Sequence, residues 1–139
     1  MHLTSMPPFG SNTTILVVDD EPAILNLIKS ILEPAGFAVL VASNAHQALG
    51  FLENRDYSID LLLTDFNMPD INGVELACRA CEIAPGLPVM FMTGCRKESP
   101  GLEFLMREGP FSECEVITKP FTPRGLLSEI NGILSTTLR

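Results

Sequence analysis

Ile59-Asp60-Leu61-Leu62-Leu63-Thr64-Asp65-Phe66-Asn67-Met68-Pro69-Asp70-Ile71-Asn72-Gly73 is the stretch that decides the fold. Its first half is a short apolar run, the pattern of a strand buried on both faces. The run stops at Asp65, and Pro69, Asp70, Asn72 and Gly73 then impose a loop before the next helix. Asp65 is thereby expected at the carboxyl end of a central strand, on the rim where open α/β sheets build their sites. A carboxylate there must be hydrated, paired, metal-bound or reactive, because burying a bare charge is costly. Taken alone, the position is better explained by an aspartate that merely begins a turn. The other strand ends discriminate.

Upstream, Ile15-Leu16-Val17-Val18 forms a first strand that runs into Asp19-Asp20-Glu21, with Pro22 where a first helical turn tolerates it. Ile24, Leu25, Leu27, Ile28, Ile31 and Leu32 recur at helical spacing until Pro34 and Gly36. Phe37 to Ala42 is a second strand. Asn44, with Gln47 three residues on, starts a helix whose inner face is Ala45, Ala48, Leu49 and Leu52. Downstream, Val74, Ala77 and Ala80 stripe a third helix ending near Ala84-Pro85-Gly86. Val89 to Met92 is a fourth strand ending in Thr93-Gly94, and Ser99-Pro100 opens a short fourth helix through Leu102, Leu105 and Met106. Glu115 to Thr118 is a fifth strand ending in Lys119-Pro120. Thr122-Pro123 caps a last helix with Leu126, Leu127, Ile130, Ile133 and Leu134 inward. Residues 1–12, rich in Pro, Gly, Ser and Asn, are expected to be a disordered tail. Strict alternation of β and α predicts parallel strands joined by right-handed crossovers with helices on both faces. The expected fold is a (βα)5 α/β domain over residues 13–136: a doubly wound, five-stranded parallel sheet, flavodoxin-like.

A chain of 139 residues suits one domain with a core that needs no staples. Its net charge of −8 and pI of about 4.6 oppose direct nucleic-acid binding and favour a divalent cation or a basic partner. The first residues have neither the basic region nor the apolar region of a signal peptide, and no apolar run approaches a membrane span, so no membrane insertion is expected. Cys78, Cys81, Cys95 and Cys114 are scattered over helix, loop and strand, unlike a zinc site. They are expected to be reduced thiols, in a cytoplasmic protein.

Strand one ends in Asp19 and Asp20, strand three in Asp65, strand four in Thr93 and strand five in Lys119. If those strands are neighbours, three carboxylates, a hydroxyl and an ammonium converge on one edge. At about 5 Å and an effective dielectric near 20, each carboxylate pair costs about 3 kcal/mol. Lys119 offsets one charge, and Mg²⁺, which takes oxygen-rich and partly hydrated sites, would offset the rest. Such a site is complementary to a phosphoryl group, with Asp65 the natural nucleophile. Thr93 and Lys119 are donors with no other obvious partner on the rim. Each residue singly has an ordinary explanation, as helix cap, turn residue or exposed strand end. Four of five strands ending in matched chemistry do not.

These residues resemble the receiver domain of two-component response regulators over about residues 13–136. The marks are Val17-Val18-Asp19-Asp20-Glu21, Thr64-Asp65-Phe66-Asn67-Met68-Pro69 with Gly73, Met92-Thr93-Gly94, and Thr118-Lys119-Pro120-Phe121. The resemblance implies that Asp65 accepts a phosphoryl group from a histidine kinase or histidine phosphotransfer protein. It implies that Asp20, Asp65 and the backbone carbonyl of Asn67 bind Mg²⁺, that Asp19 assists through water, and that Lys119 and Thr93 contact the phosphoryl oxygens. Backbone N–H groups of Asn67 and Gly94 would complete the cradle. The implied protein is a switch, not a turnover enzyme: it catalyses only its own phosphoryl transfer and slow dephosphorylation. Its output would pass to a protein target through the face made by the fourth helix, the fifth strand and the fifth helix. One position departs from the family pattern. Val116 stands where receivers commonly carry Tyr or Phe, three residues before the lysine.

Rival chemistries fit less well. A haloacid-dehalogenase-type enzyme needs Asp-x-Asp after strand one, where this chain has adjacent acids. A flavodoxin-like cofactor binder needs a Ser/Thr/Gly-rich phosphate loop there. A pseudo-receiver acting only as a binding module does not need the complete set of acids, Thr and Lys. The receiver itself could stand alone or be a module of a hybrid histidine kinase or larger regulator.

Overall fold

The computed structural model describes residues 13–94 and 114–137. Its elements in chain order are β1 (Thr14–Val18), α1 (Pro22–Leu32), β2 (Ala38–Ala42), α2 (Ala45–Glu53), β3 (Leu61–Asp65), α3 (Gly73–Ile83), β4 (Val89–Thr93), β5 (Glu115–Thr118) and α4 (Pro123–Thr137). The strands form one parallel sheet in the order β2-β1-β3-β4-β5. This is the expected flavodoxin-like α/β fold, and strands one, three, four and five are neighbours. The expected tail over 1–12, the expected fourth helix over 99–106 and Cys95 lie outside the described residues.

The apolar runs choose the middle of the sheet. β3 and β4 are buried at every residue, and β1 at all but Thr14, whereas the edge strands β2 and β5 are partly exposed. The pleat then sorts side chains by parity. Leu16, Val18, Leu62 and Phe91 face one side, against Ala45 and Ala48 of α2 and Leu76, Ala77 and Ala80 of α3. Ile15, Val17, Leu61, Leu63, Met90 and Met92 face the other, against α1 and α4 through Leu25, Ile28, Leu32, Leu126, Ile130 and Leu134. Burying each such side chain contributes roughly 1.5–3 kcal/mol, so the sheet is clamped from both faces.

Local signals set the helix starts. Pro22 occupies the first turn of α1, Asn44 Oδ1 accepts the Gln47 N–H, Asn72 Oδ1 accepts the Glu75 N–H and Thr122 Oγ1 accepts the Gly125 N–H. Three details differ from the sequence reading. The second strand begins at Ala38, with Phe37 buried between it and the preceding turn. Leu27 turns away from the sheet and is 44% exposed, because the apolar set of α1 is wider than the stripe the sheet can cover. Leu76, absent from the predicted stripe of the third helix, is fully buried.

Candidate functional site

Parallel pairing carries each chemically active residue to the same edge. β1 ends at Val18 beside Thr64, so Asp19 emerges next to Asp65. β4 pairs with β3 through Asp65↔Met92 and with β5 through Thr93↔Thr118, which brings Lys119 round to the same rim. Backbone bonds continue the ladder past the strand ends: Asp19 N–H to the Ala42 carbonyl, Phe66 N–H to the Met92 carbonyl, and Lys119 N–H to the Thr93 carbonyl at 2.7 Å. The Lys119–Pro120 peptide bond is cis.

One carboxylate oxygen from each of Asp19, Asp20 and Asp65 lies within 4.8 Å of the others. Asp19 is fully buried and Asp65 nearly so, while Asp20 is exposed. Lys119 Nζ donates to Asp19 Oδ2 at 2.7 Å and lies 3.7 Å from Asp65 Oδ2. The expectation that Lys119 has no other partner on the rim is therefore corrected: its ammonium already compensates the most buried carboxylate. Asp19 Oδ1 accepts the Glu21 N–H at 2.9 Å, so both oxygens of Asp19 are engaged. Asp65 is held less well. Its Oδ1 accepts the Asn67 N–H at 3.4 Å, beyond the usual range for such a bond.

The electrostatics follow from that unequal support. Burial drives the Asp65 carboxyl up to about 6; Lys119 and the Asn67 N–H oppose the shift, while the charges of Asp19 and Asp20 reinforce it. Burial pulls the Lys119 ammonium down, but its hydrogen bond to Asp19 and the charges of Asp19, Asp65 and Glu21 outweigh that pull and hold it above the ordinary lysine value. A clustered set of carboxylate oxygens with a shortage of positive charge is the donor set a hard divalent cation takes. With both Asp19 oxygens occupied, the exposed Asp20 and the weakly held Asp65 are the carboxylates better placed to bind a cation directly.

Thr93 is fully buried at the carboxyl end of β4. Asn67 is exposed in the loop that follows Asp65, and its N–H points at Asp65 Oδ1. Gly73 explains why that loop can be so tight. Its N–H donates to the Phe66 carbonyl at 2.9 Å, and a Cβ at this position would stand 2.5 Å from the Asp65 carbonyl oxygen. The first turn of α3 thus rests against the backbone of Asp65 itself. Asp70, given only a turn-forming role by the sequence, sends its carboxylate to the first turn of α2. No local pattern signals that contact, because its partner is 25 residues away.

Residues 15–131 match the family model described as the response regulator receiver domain. The chain is 36% identical over 120 residues to the response regulator receiver protein CpdR of Brucella abortus, covering 86% of this chain and 95% of that one. It is 35% identical over 126 residues to the phosphate regulon transcriptional regulatory protein PhoB of Pseudomonas aeruginosa, covering 89% of this chain but 52% of PhoB. The chain thus spans about half the length of that relative. Among solved structures, a CheY-like response regulator receiver domain protein from Methanospirillum hungatei superposes with a TM-score of 0.78 at 35% identity, covering 92% of this chain and 98% of the other.

Proposed function

The chain belongs to the response regulator receiver family, and from that premise we propose that Asp65 is the phosphoacceptor of a two-component phosphorelay. The observation that carries the proposal is the unequal support of the carboxylates: Asp19 is fully bonded, whereas Asp65 is buried, weakly bonded and raised toward pH 6. An oxygen of Asp65 attacks the phosphorus of a phosphohistidine. The O–P bond forms as the N–P bond breaks, and the electron pair returns to the imidazole. Lys119 and Thr93 donate to the phosphoryl oxygens as charge develops there. Asp20, Asp65 and the Asn67 carbonyl would hold Mg²⁺, with Asp19 assisting through water, and the bound cation would supply the remaining positive charge. The protein turns over no separate substrate; its chemistry is its own phosphorylation and slow hydrolysis.

The donor is a histidine kinase or histidine phosphotransfer protein, and the setting is cytoplasmic. Among the described residues no helix is long and apolar enough to cross a membrane. Lys119 leaves Asp19 for the phosphoryl group, and its movement with Thr93 displaces the face made by β5, α4 and the helix expected over 99–106 toward a protein target. Val116, half-buried on β5 opposite Phe91, lacks the ring that would swing inward and is stiff about χ1. The switch is therefore carried by the Thr93 loop and is graded. The chemistry is the same in either architecture, a stand-alone receiver or a module of a longer regulator or hybrid kinase.

Incubation with acetyl phosphate and Mg²⁺, followed by intact mass measurement, tests the proposal. The expected result is a hydroxylamine-labile mass gain that disappears in Asp65→Ala. No gain in the wild-type protein, or persistence of the gain in Asp65→Ala, contradicts it.

A further inference from the structure

The loop between β3 and α3 carries Asn67, and its far side is anchored to a different helix. Asp70 Oδ2 accepts the Ala45 N–H at 3.0 Å, at the first residue of α2. Burial pushes the Asp70 carboxyl up, but hydrogen bonds from the backbone N–H groups of Ile71, Ala45, Asp70 itself and His46 outweigh it and hold the carboxyl below its usual range. The carboxylate thus accepts the first N–H of α2, a group with no partner within the helix, at a place where the helix dipole also favours an anion. The cap residue of α2 is a separate group: Asn44 Oδ1 accepts the Gln47 N–H at 2.8 Å. Two caps therefore hold the same helix start, and only one of them belongs to the loop of the site.

That loop is also pinned at its base, where Gly73 N–H meets the Phe66 carbonyl and Asn72 Oδ1 takes the Glu75 N–H. Met68 and Ile71 pack against the core on the α2–α3 side of the sheet. Those apolar contacts are non-directional, and neither of the two hydrogen bonds at the base reaches α2. The bond that the Asn67 N–H donates to Asp65 Oδ1 is long, at 3.4 Å, so a small drift of the segment would lose it. We propose that Asp70 is a positioning residue of the phosphoacceptor site: by clasping the amino terminus of α2 it holds the Asn67–Asp70 segment in place and sets Asn67 against Asp65. A carboxylate accepting backbone N–H groups makes a stronger bond than a neutral acceptor, which suits it to this task in an exposed loop. The functional consequence of the clasp rests on the reading of Asp65 and Mg²⁺ above; the mechanical part does not.

The test compares the wild type with Asp70→Ala, Asp70→Asn and Asn44→Ala. In the metal-free protein, NMR order parameters of residues 67–71 are measured. Calorimetric titration then gives the Mg²⁺ affinity. Asp70→Ala is expected to lower those order parameters from about 0.85 toward about 0.6. It is expected to weaken Mg²⁺ about fivefold, less than the roughly 10- to 100-fold typical of a group bonded directly to a metal ligand. Asp70→Asn keeps an acceptor oxygen and should recover most of both. Asn44→Ala destabilises the same helix start and should move neither. Unchanged order parameters in Asp70→Ala, or an equal loss in Asn44→Ala, overturn the positioning role. If the wild type binds no Mg²⁺ while Asp70→Ala still loosens the loop, the clasp stands and the reading of the metal site fails.

Discussion

Asp60 and Asp65 flank the same strand and have opposite fates. At the amino end of β3, Asp60 exchanges two bonds with one residue: its N–H donates to the Thr14 carbonyl and its Oδ2 accepts the Thr14 N–H, each at 2.8 Å. That carboxylate extends the β1–β3 ladder by one residue and belongs to no acidic cluster among the described residues. At the carboxyl end, Asp65 has one long backbone bond, an ammonium 3.7 Å away that is already bonded elsewhere, and two further carboxylates beside it. The difference teaches that position at a strand end does not decide how an aspartate is held. What matters is whether the neighbouring backbone satisfies it. In a parallel sheet the amino edge offers Asp60 the start of the neighbouring strand, while the carboxyl edge collects side chains from several loops.

The largest expected effect comes from removing the cation that keeps the carboxyl edge tolerable. Lys119→Ala leaves the fully buried Asp19 without its ion-pair partner, and breaking such a pair costs about 3–5 kcal/mol. Urea unfolding at neutral pH measures it, and added Mg²⁺ should restore part of the loss. A loss below about 1 kcal/mol, the scale of an exposed pair, would place Asp19 and Lys119 with ordinary surface charges.

Next is the pH dependence of the metal-free protein. Burial raises Asp65 from 3.8 to about 6 in the folded state. The folded protein then binds more protons than the unfolded chain between those values. The stabilising contribution of Asp65 is full below the unfolded pKa and is lost as pH rises through about 6, a change of about 2–3 kcal/mol. Wild type minus Asp65→Asn, measured by urea unfolding across pH 3.5 to about 7.5, isolates that slope. A difference curve of the opposite sign would mean that Asp65 is stabilised as the anion, as a structural carboxylate would be.

Smaller again is the cost at the other end of the strand. Asp60→Ala removes the acceptor for the Thr14 N–H and should cost about 1 kcal/mol. Labelling of Asp65 by acetyl phosphate should be unchanged, and a loss of labelling matching that of Asp65→Ala would erase the distinction between the two ends. The smallest effect concerns Cys114, which precedes β5 at that same amino edge. Burial, reinforced by Cys81 and Glu115 and opposed by the Val89 backbone, pushes its thiol up to about 11. Iodoacetamide at pH 8 should alkylate Cys114 far more slowly than free cysteine, since the thiolate is the nucleophile. Equal rates would show that this edge also holds reactive groups.

Much of this arrangement was legible in the chain because it is written in short-range patterns. The runs Ile15–Val18, Leu61–Leu63 and Val89–Met92 announce strands, and each stops at or just before the residue that matters. The strand order is not written anywhere locally; the sequence reading leaves it conditional on the strands that carry Asp19, Asp65, Thr93 and Lys119 being neighbours, and the sheet supplies that. Long-range pairings were out of reach. Lys119 meets Asp19 across 100 residues, and Asp70 meets Ala45 across 25, with no periodicity to mark either. The exposure of Leu27 escaped notice for a related reason: apolar spacing reports a helical face, not the width of the sheet that covers it.

The central claim is that the poorly satisfied carboxylate, and no other acid of the cluster, forms the covalent bond. After brief exposure to acetyl phosphate and Mg²⁺, the acyl phosphate can be reduced with borohydride and the modified residue located by peptide mass sequencing. The account predicts one modified position, Asp65, with Asp19, Asp20 and Asp60 unaltered. Modification at Asp19 or Asp20 in the wild-type protein would contradict it.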